Sequence, residues 1–315
     1  MQTAAKTVII TGGNTGLGFE TAKVIASAST EWHVIIASRS QQKGNEAAQA
    51  LIHDTRNPHI SAMVLDLSSF SSIKQFADQF TKADHPPLHA IVCNAGAAFV
   101  QGTQVTADGL EATFGVNHMG HFLLVRLLYH QLMEPGRIVV VSSDTHQSRG
   151  NSAMSVRYAS PGTMADPVAS DQYLHDLNDF SKGMVRYATS KLTNLYFTYE
   201  LSRRVQQSKP SISVVAFNPG AMPGKGSALA RDYKPFMQFI WNHVMPLFRF
   251  VSSAIRTTKQ SGNDLAQLVL KNSLQSGTYW DGPKEIASSE ESYDLSRALE
   301  LWDWSSERVE LNKEL

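Results

Sequence analysis

Tyr187 and Lys191 stand four residues apart in Tyr187-Ala188-Thr189-Ser190-Lys191, so a helix sets a phenol and an amine side by side, one turn apart. That pair is the minimum apparatus for moving a proton to or from a carbonyl oxygen. A phenol ordinarily ionises near pH ~10, which makes it a poor acid-base group near neutrality. A neighbouring ammonium favours the phenolate and draws the phenol toward the working range. The spacing also arises by chance, as a surface pair or a tyrosine packed at a helix edge. Tyr129 and Tyr196 lack a lysine at the fourth position, and Tyr199 is followed by Arg203. A cofactor site elsewhere in the chain is what gives the pair meaning.

Such a site is legible at the N-terminus. Residues 7–10 (TVII) form a β-branched apolar run, the pattern of a buried parallel strand. Thr11-Gly12-Gly13-Asn14-Thr15-Gly16-Leu17-Gly18 follows, and then a helical pattern over 19–28. Glycines between a strand and a helix let the backbone approach a pyrophosphate, which helix N-terminal N–H groups receive. The spacing is G-x-x-x-G-x-G rather than G-x-G-x-x-G, and a simple flexible turn is the plainer alternative. The next strand, 32–37 (WHVIIA), ends at Ser38-Arg39. An acidic residue there would hold the ribose hydroxyls of NAD. None is present, and Arg39 suits a 2′-phosphate, so NADP(H) is favoured over NAD(H).

Further strands are expected at 61–65, 90–93, 137–141, 212–217 and 278–280, and helices at 43–53, 69–82, 109–133, 187–207 and 264–274. Strands alternating with helices specify an α/β fold with a parallel sheet covered on both faces. Lys+Arg and Asp+Glu number 28 each, which gives no electrostatic case for nucleic acid. The single cysteine, Cys93, excludes an internal disulfide and fits a reducing compartment; in an apolar strand it reads as a core thiol. No basic start with an apolar stretch precedes the first strand, and no apolar run reaches the ~18 residues of a membrane span. A cytoplasmic location is therefore expected. His118 and His121 share a helix face without a third ligand, so no metal is expected.

The residues TGGNTGLG (11–18), Asp66-Leu67, Asn94-Ala95-Gly96, Asn117, Ser142-Ser143, Tyr187/Lys191 and Asn218-Pro219-Gly220, in this order, resemble the short-chain dehydrogenase/reductase superfamily along nearly the whole chain. GVNHMGHFLL (115–124) and RYATSKLTNLYFTYEL (186–201) are most similar to retinol dehydrogenases and light-dependent protochlorophyllide reductases; LWDWSSERVEL (301–311) resembles the latter. The resemblance implies a single-domain, Rossmann-type doubly wound sheet over 1–315 with a C-terminal substrate lid. Its parts would be a dinucleotide-binding half (5–143), an inserted loop (144–186), a catalytic and substrate half (187–284, lid about 221–258) and a C-terminal extension (285–315).

It also implies roles. Tyr187 would be the general acid or base, Lys191 would lower the Tyr187 pKa and hold the nicotinamide ribose, and Ser143, rather than Ser142, would hydrogen-bond the substrate oxygen. Asn117 would anchor a water relay to Lys191. The loop residues Gly12, Asn14, Thr15, Gly16, Leu17 and Gly18 would hold the pyrophosphate and Arg39 the 2′-phosphate. Asp66 would meet the adenine and Asn94 the adenosine-side ribose, Gly96 would allow close backbone approach, and Leu67 and Ala95 would stand among the cofactor-binding residues. Pro219 and Gly220 would turn the chain at the nicotinamide.

Three departures from the family pattern stand out. Tyr187 follows Ser143 by 187 − 143 = 44 residues, a gap longer than is usual in the family. The excess is expected as a loop or lid near the substrate. Where a threonine usually follows Pro-Gly, this chain has Gly224 and Lys225, with Ser227 a candidate replacement. Thr193 stands where protochlorophyllide reductases usually carry a cysteine, and Ser143 where they commonly have Thr, which disfavours a light-driven reaction. Residues 235–251 (PFMQFIWNHVMPLFRFV) carry five aromatics and two methionines and read as core, as a lid over a bulky apolar substrate, or as a peripheral membrane contact.

The expected activity is NADP(H)-dependent interconversion of a carbonyl and an alcohol on a medium-to-large apolar or aromatic substrate, with a homodimer through 109–133 and 187–207. A C=C reductase resembling protochlorophyllide reductase and a non-catalytic dinucleotide sensor are the alternatives.

Overall fold

The computed structural model describes residues 4–147, 155–224, 230, 232–250, 252 and 254–315, with side chains of 248–250 excluded. One eight-stranded sheet runs in the order β3-β2-β1-β4-β5-β6-β7-β8. Its members are β1 (Lys6–Thr11), β2 (Trp32–Ser38), β3 (Ile60–Val64), β4 (Leu88–Cys93), β5 (Leu132–Val141), β6 (Ile212–Asn218), β7 (Thr278–Asp281) and β8 (Lys284–Ile286). All pairings are parallel except β7 with β8. Because β2 and β4 flank β1, the winding reverses there, and a crevice opens beyond the carboxyl ends of these strands. Every residue of β2, β4 and β6 is buried, as strands covered by helices on both faces must be.

One face carries α1 (Gly16–Ala28), α2 (Gln41–Thr55) and, later in the chain, α10 (Thr258–Leu270). The other carries α3 (Phe70–Lys82), α4 (Ala112–Phe114), a π turn at Gly115–Met119, α5 (Gly120–Leu128) and α8 (Asp179–Ser208). The long helix expected over 109–133 is thus four pieces, the last a 3-10 turn at Tyr129–Gln131. It begins where Glu111 accepts hydrogen bonds from the Thr113 and Phe114 N–H groups at 3.0 and 2.8 Å, and Leu132 and Met133 join β5 instead. The expected 187–207 helix begins eight residues earlier, at Asp179, where Asn178 caps the Ser181 N–H at 2.9 Å.

The inserted segment is not simply a loop. It holds α6 (Pro161–Ala165) and α7 (Pro167–Tyr173), each with proline in its first turn behind a capping Ser160 or Asp166, a start signal that periodicity over so few residues cannot show. A third element outside the expected set, α11 (Leu295–Arg308), lies along α8. Trp302 of α11 sits between the Arg126 and Arg204 guanidiniums, 5.0 and 4.5 Å from its ring centroid. Between 183 and 202, only Tyr187 and Tyr199 of α8 escape full burial. Trp302 and Ser306 of α11 thus pack on part of the α5 and α8 surfaces, at Phe122, Arg126 and Phe197. No described helix is long and apolar enough to cross a membrane.

Candidate active site

The carboxyl ends of the central strands open on a cavity of about 580 Å³. Gly12 lines it with φ +64, and a Cβ on Gly18 would lie 2.6 Å from both Asn94 Nδ2 and the Gly12 carbonyl. Only glycine allows these segments to close so tightly. Thr15 occupies the N-cap of α1 without a side-chain cap. Ser40, Ser69, Asn178, Thr257 and Asp294 do cap their helices. The first N–H groups of α1 thus stay available beside the cavity-lining Asn14 to Leu17, where an anion is favoured. The cradle fits a dinucleotide pyrophosphate. Arg39 is exposed at the rim and forms no ion pair with a described residue.

All the residues assigned from sequence line this cavity except two, Gly18 and Asn117, which stand behind its wall. Asn94 donates through Nδ2 to the Thr11 carbonyl at 2.7 Å, which locks β4 to β1. Asp66 Oδ1 accepts from the Ser68 N–H and hydroxyl at 2.9 and 2.7 Å. Asn117 lies in the π turn, a device common at functional sites. Its Oδ1 accepts from Ala97 N–H at 2.8 Å, and its Nδ2 donates to the Ala97 carbonyl and to Ser190 Oγ, both at 2.9 Å. The amide thereby fastens the loop after β4 to α8, one turn from Tyr187.

The backbone carbonyl of Asn117 is engaged as well. His121 Nδ1 lies 3.2 Å from it, and His121 Nε2 lies 2.9 Å from Thr11 Oγ1. Burial lowers His121 to about 4, so the ring is neutral at pH 7. A neutral ring has one donor: Nδ1–H donates to the Asn117 carbonyl and Nε2 accepts from Thr11. His121 braces the π turn against β1, a role that sequence spacing did not reveal.

The four candidate catalytic side chains sit differently from one another. Ser142 is buried and donates to the Lys191 carbonyl at 2.8 Å, while Ser143, half-buried, faces the cavity and caps the Thr145 N–H at 3.3 Å. Lys191 donates to the Val141 carbonyl at 3.1 Å. Its ammonium stands 5.3 Å from the centroid of the Tyr187 ring, on the face a cation prefers. The Tyr187 hydroxyl makes no hydrogen bond with a described residue.

Lys191 was expected to pull the Tyr187 phenol down. Instead burial first, and then Tyr233 and Asp144, push it above its ordinary value. The lysine is itself lowered to about 8 by burial. Desolvation wins because the amine bonds a carbonyl and the ring face rather than the phenolic oxygen. Tyr187 is consequently a neutral acid across the physiological range.

A family profile described as short chain dehydrogenase matches residues 6–160, and an AcuH dehydrogenase domain matches 228–315. Protochlorophyllide reductase A, chloroplastic, of Triticum aestivum is 33% identical over 321 residues, spanning 96% of this chain and 80% of that protein. The chain belongs to the short-chain dehydrogenase/reductase family. The WW domain-containing oxidoreductase of Gallus gallus is 32% identical over 310 residues, spanning 97% of this chain and 68% of that protein. A solved structure from Mycobacterium Paratuberculosis superposes with TM-score 0.68 at 26% identity, covering 99% of this chain and 96% of its own.

Of the described part of the insertion, Asp144 and Thr145 line the cavity beside Ser143, and the remainder stands away from it. From 155 to 186 no described residue lines the cavity. Arg186 pulls this segment away, donating to Ser170 Oγ at 3.0 Å and to Asp171 at 3.1 Å. Phe99, Val105, Val116, Met222, Tyr233 and Trp241 form the apolar wall instead. The core reading of 235–251 fails, since none of its residues with a described side chain is fully buried. Phe236 and Phe239 are 72% and 57% exposed, and Trp241 is the member of this segment that reaches the cavity. Lys225, Ser227 and the Phe248 side chain lie outside the described residues.

Thr193 is buried, bonds the Ser190 carbonyl at 2.8 Å and does not line the cavity. The turn at Pro219-Gly220 depends on residues the motifs did not mark. Arg256 donates to Asp281 at 2.8 Å, and Asn218 Nδ2 donates to the same carboxylate oxygen at 2.8 Å.

Proposed function

We propose that this protein reduces the carbonyl of a medium-to-large apolar or aromatic compound with NADPH. The observation that carries the reading is the meeting, in one cavity, of a neutral phenol (Tyr187), a cavity-lining hydroxyl (Ser143, which donates to Asp144 Oδ1 at 3.2 Å) and an amine (Lys191) at the end of a glycine cradle. When bound there, the nicotinamide supplies hydride. Tyr187 gives its proton to the carbonyl oxygen, Ser143 holds that oxygen, Lys191 holds the ribose, and Asn117 with His121 keeps α8 in register with the loop after β4. A phenol kept protonated suits the reductive direction. The apolar wall excludes water and selects the substrate class.

The test is NADPH oxidation across aldehydes, ketones, quinones and enones: ketone or aldehyde turnover supports the reading, and turnover confined to enones favours a C=C reductase. That second reading has the wheat protochlorophyllide reductase as its support. NADPH binding without any turnover would point to a dinucleotide sensor.

Arg39, unpaired at the end of β2 where no carboxylate stands, is the expected partner of the 2′-phosphate. Arg39→Ala is expected to weaken NADPH binding by about 30-fold, one charge-assisted contact, and to leave NADH within about twofold. Titration calorimetry with both nucleotides checks this, and equal losses for the two would remove the assignment.

Lys191 adds a pH dependence. With the amine at about 8, the ammonium predominates below that pH and is lost above it. Binding that uses the charge takes up a proton at higher pH. NADPH affinity should therefore be flat toward pH ~6 and fall by at most about tenfold per unit above pH ~8. Lys191→Met should bind more weakly at neutral pH and show no such fall.

A further inference from the structure

Two polar hydrogens on the apolar wall lack good partners. Tyr233 is 7% exposed, and among the described residues its hydroxyl meets only Met184 Sδ, at 3.5 Å, a weak acceptor. Trp241 Nε1 is buried with no hydrogen-bond partner among the described residues. The two rings stand edge to face, centroids 6.2 Å apart, and both line the cavity. Burying an O–H or N–H without a proper acceptor is costly, and phenylalanine would give the same packing without that cost. Natural walls rarely keep two such donors side by side unless something outside the chain satisfies them.

The donors are also held in place. Asp232 Oδ2 accepts from the Val100 and Gln101 N–H groups at 2.7 and 3.0 Å, and Gln101 Nε2 donates to the Asp232 carbonyl at 2.7 Å. The Tyr233 ring packs on Phe180, centroids 5.5 Å apart, within a buried cluster of Val100, Met184 and Ala230. Tyr233 is thus part of the fixed wall beside the loop after β4. Tyr233 and Tyr187 line the same cavity.

We propose that Tyr233 and Trp241 form a second recognition point in this cavity, an O–H and N–H pair that receives an acceptor oxygen carried by the substrate away from its reacting carbonyl. The inference rests on the proposed carbonyl reduction and narrows it: the substrate is an aromatic or alicyclic ketone or aldehyde bearing a second oxygen, as an ether, ester or further carbonyl. A wholly hydrocarbon ketone leaves both donors unpaired and is disfavoured.

The experiment compares α-tetralone with its ring-methoxylated isomers, in the wild type and in Tyr233→Phe and Trp241→Phe. The wild type should prefer the best methoxy isomer over α-tetralone by about tenfold or more in kcat/KM, mainly through KM. Each variant should lose most of that preference, its kcat/KM falling by at least about fivefold more on the methoxy isomer than on α-tetralone. Calorimetric Kd values for the same compounds should follow the same pattern.

A preference that survives both substitutions, an equal loss on both probes, or failure of any methoxy isomer to bind more tightly than α-tetralone overturns the proposal. If the wild type reduces neither compound, the carbonyl reading falls, and the Kd values alone decide the recognition point. Unchanged NADPH binding and melting temperature in the variants verify that the fold is intact.

Discussion

Tyr187→Phe is expected to lower kcat by about a thousandfold, the scale of a lost positioned general acid, with NADPH affinity changed by less than about threefold. The structure separates the two effects. The phenolic hydroxyl makes no hydrogen bond with a described residue, so its removal leaves no buried partner unsatisfied. The ring, with the Lys191 ammonium 5.3 Å from its centroid, is retained by phenylalanine. Stability should therefore stay within about 0.5 kcal/mol of the parent, as for substitutions that touch no packing or bonded group.

What disappears is the one neutral acid on the cavity wall beside Ser143. Single-turnover rates with saturating NADPH, beside fluorescence titration of the nucleotide, check both halves. A variant that turns over at more than a tenth of the parent rate would take Tyr187 out of the chemistry.

How much of this was legible in the sequence follows from how each part is encoded. The glycine loop, Arg39 and the Tyr187/Lys191 spacing are local signals, because a pyrophosphate cradle and a one-turn pair are each built within a short stretch. The order of the strands follows from their apolar runs. The protonation of the site is not encoded locally, because a pKa depends on burial and on groups such as Asp144 and Tyr233 that reach Tyr187 from other segments.

The same reason hid Arg256 with Asp281, His121 with Thr11, and the Trp302 clasp. Each is a contact between distant segments, with no local pattern to announce it. The apolar run at 235–251 was ambiguous for the opposite reason. Composition left core, lid and membrane contact open; the described part is largely open to solvent, and Trp241 reaches the cavity. Hydrophobicity marks what a segment could bury without saying against what.

Gly183→Ala is the other change with a large expected effect, and it runs against helix propensity. In an exposed helix interior this substitution stabilises by up to about 1 kcal/mol. In α8 a Cβ at 183 would lie 2.2 Å from the Phe99 carbonyl oxygen and 2.7 Å from Val100 Cα. Both are backbone atoms, so no side chain can turn aside, and either α8 or the loop after β4 must move. Overpacking of this kind costs about 3 kcal/mol, which exceeds the propensity gain. A net loss near 2 kcal/mol would lower the melting temperature by roughly 5 °C in a chain of this size.

Activity should suffer more than stability. The loop that moves carries Phe99 and Val100 and meets Asp232, while α8 carries Met184, Tyr187 and Lys191. A displacement near 1 Å between them would cost on the order of a hundredfold in kcat/KM. Gly162→Ala is the matched control. In α6 the added Cβ would meet only Trp304 Nε1, at an ordinary 3.5 Å, and no described neighbour of that position lines the cavity. It should leave rate and melting temperature unchanged or slightly raise the latter. If both alanine variants behave alike in thermal unfolding and kinetics, the close approach of α8 to the loop after β4 is not what holds the catalytic tyrosine in place.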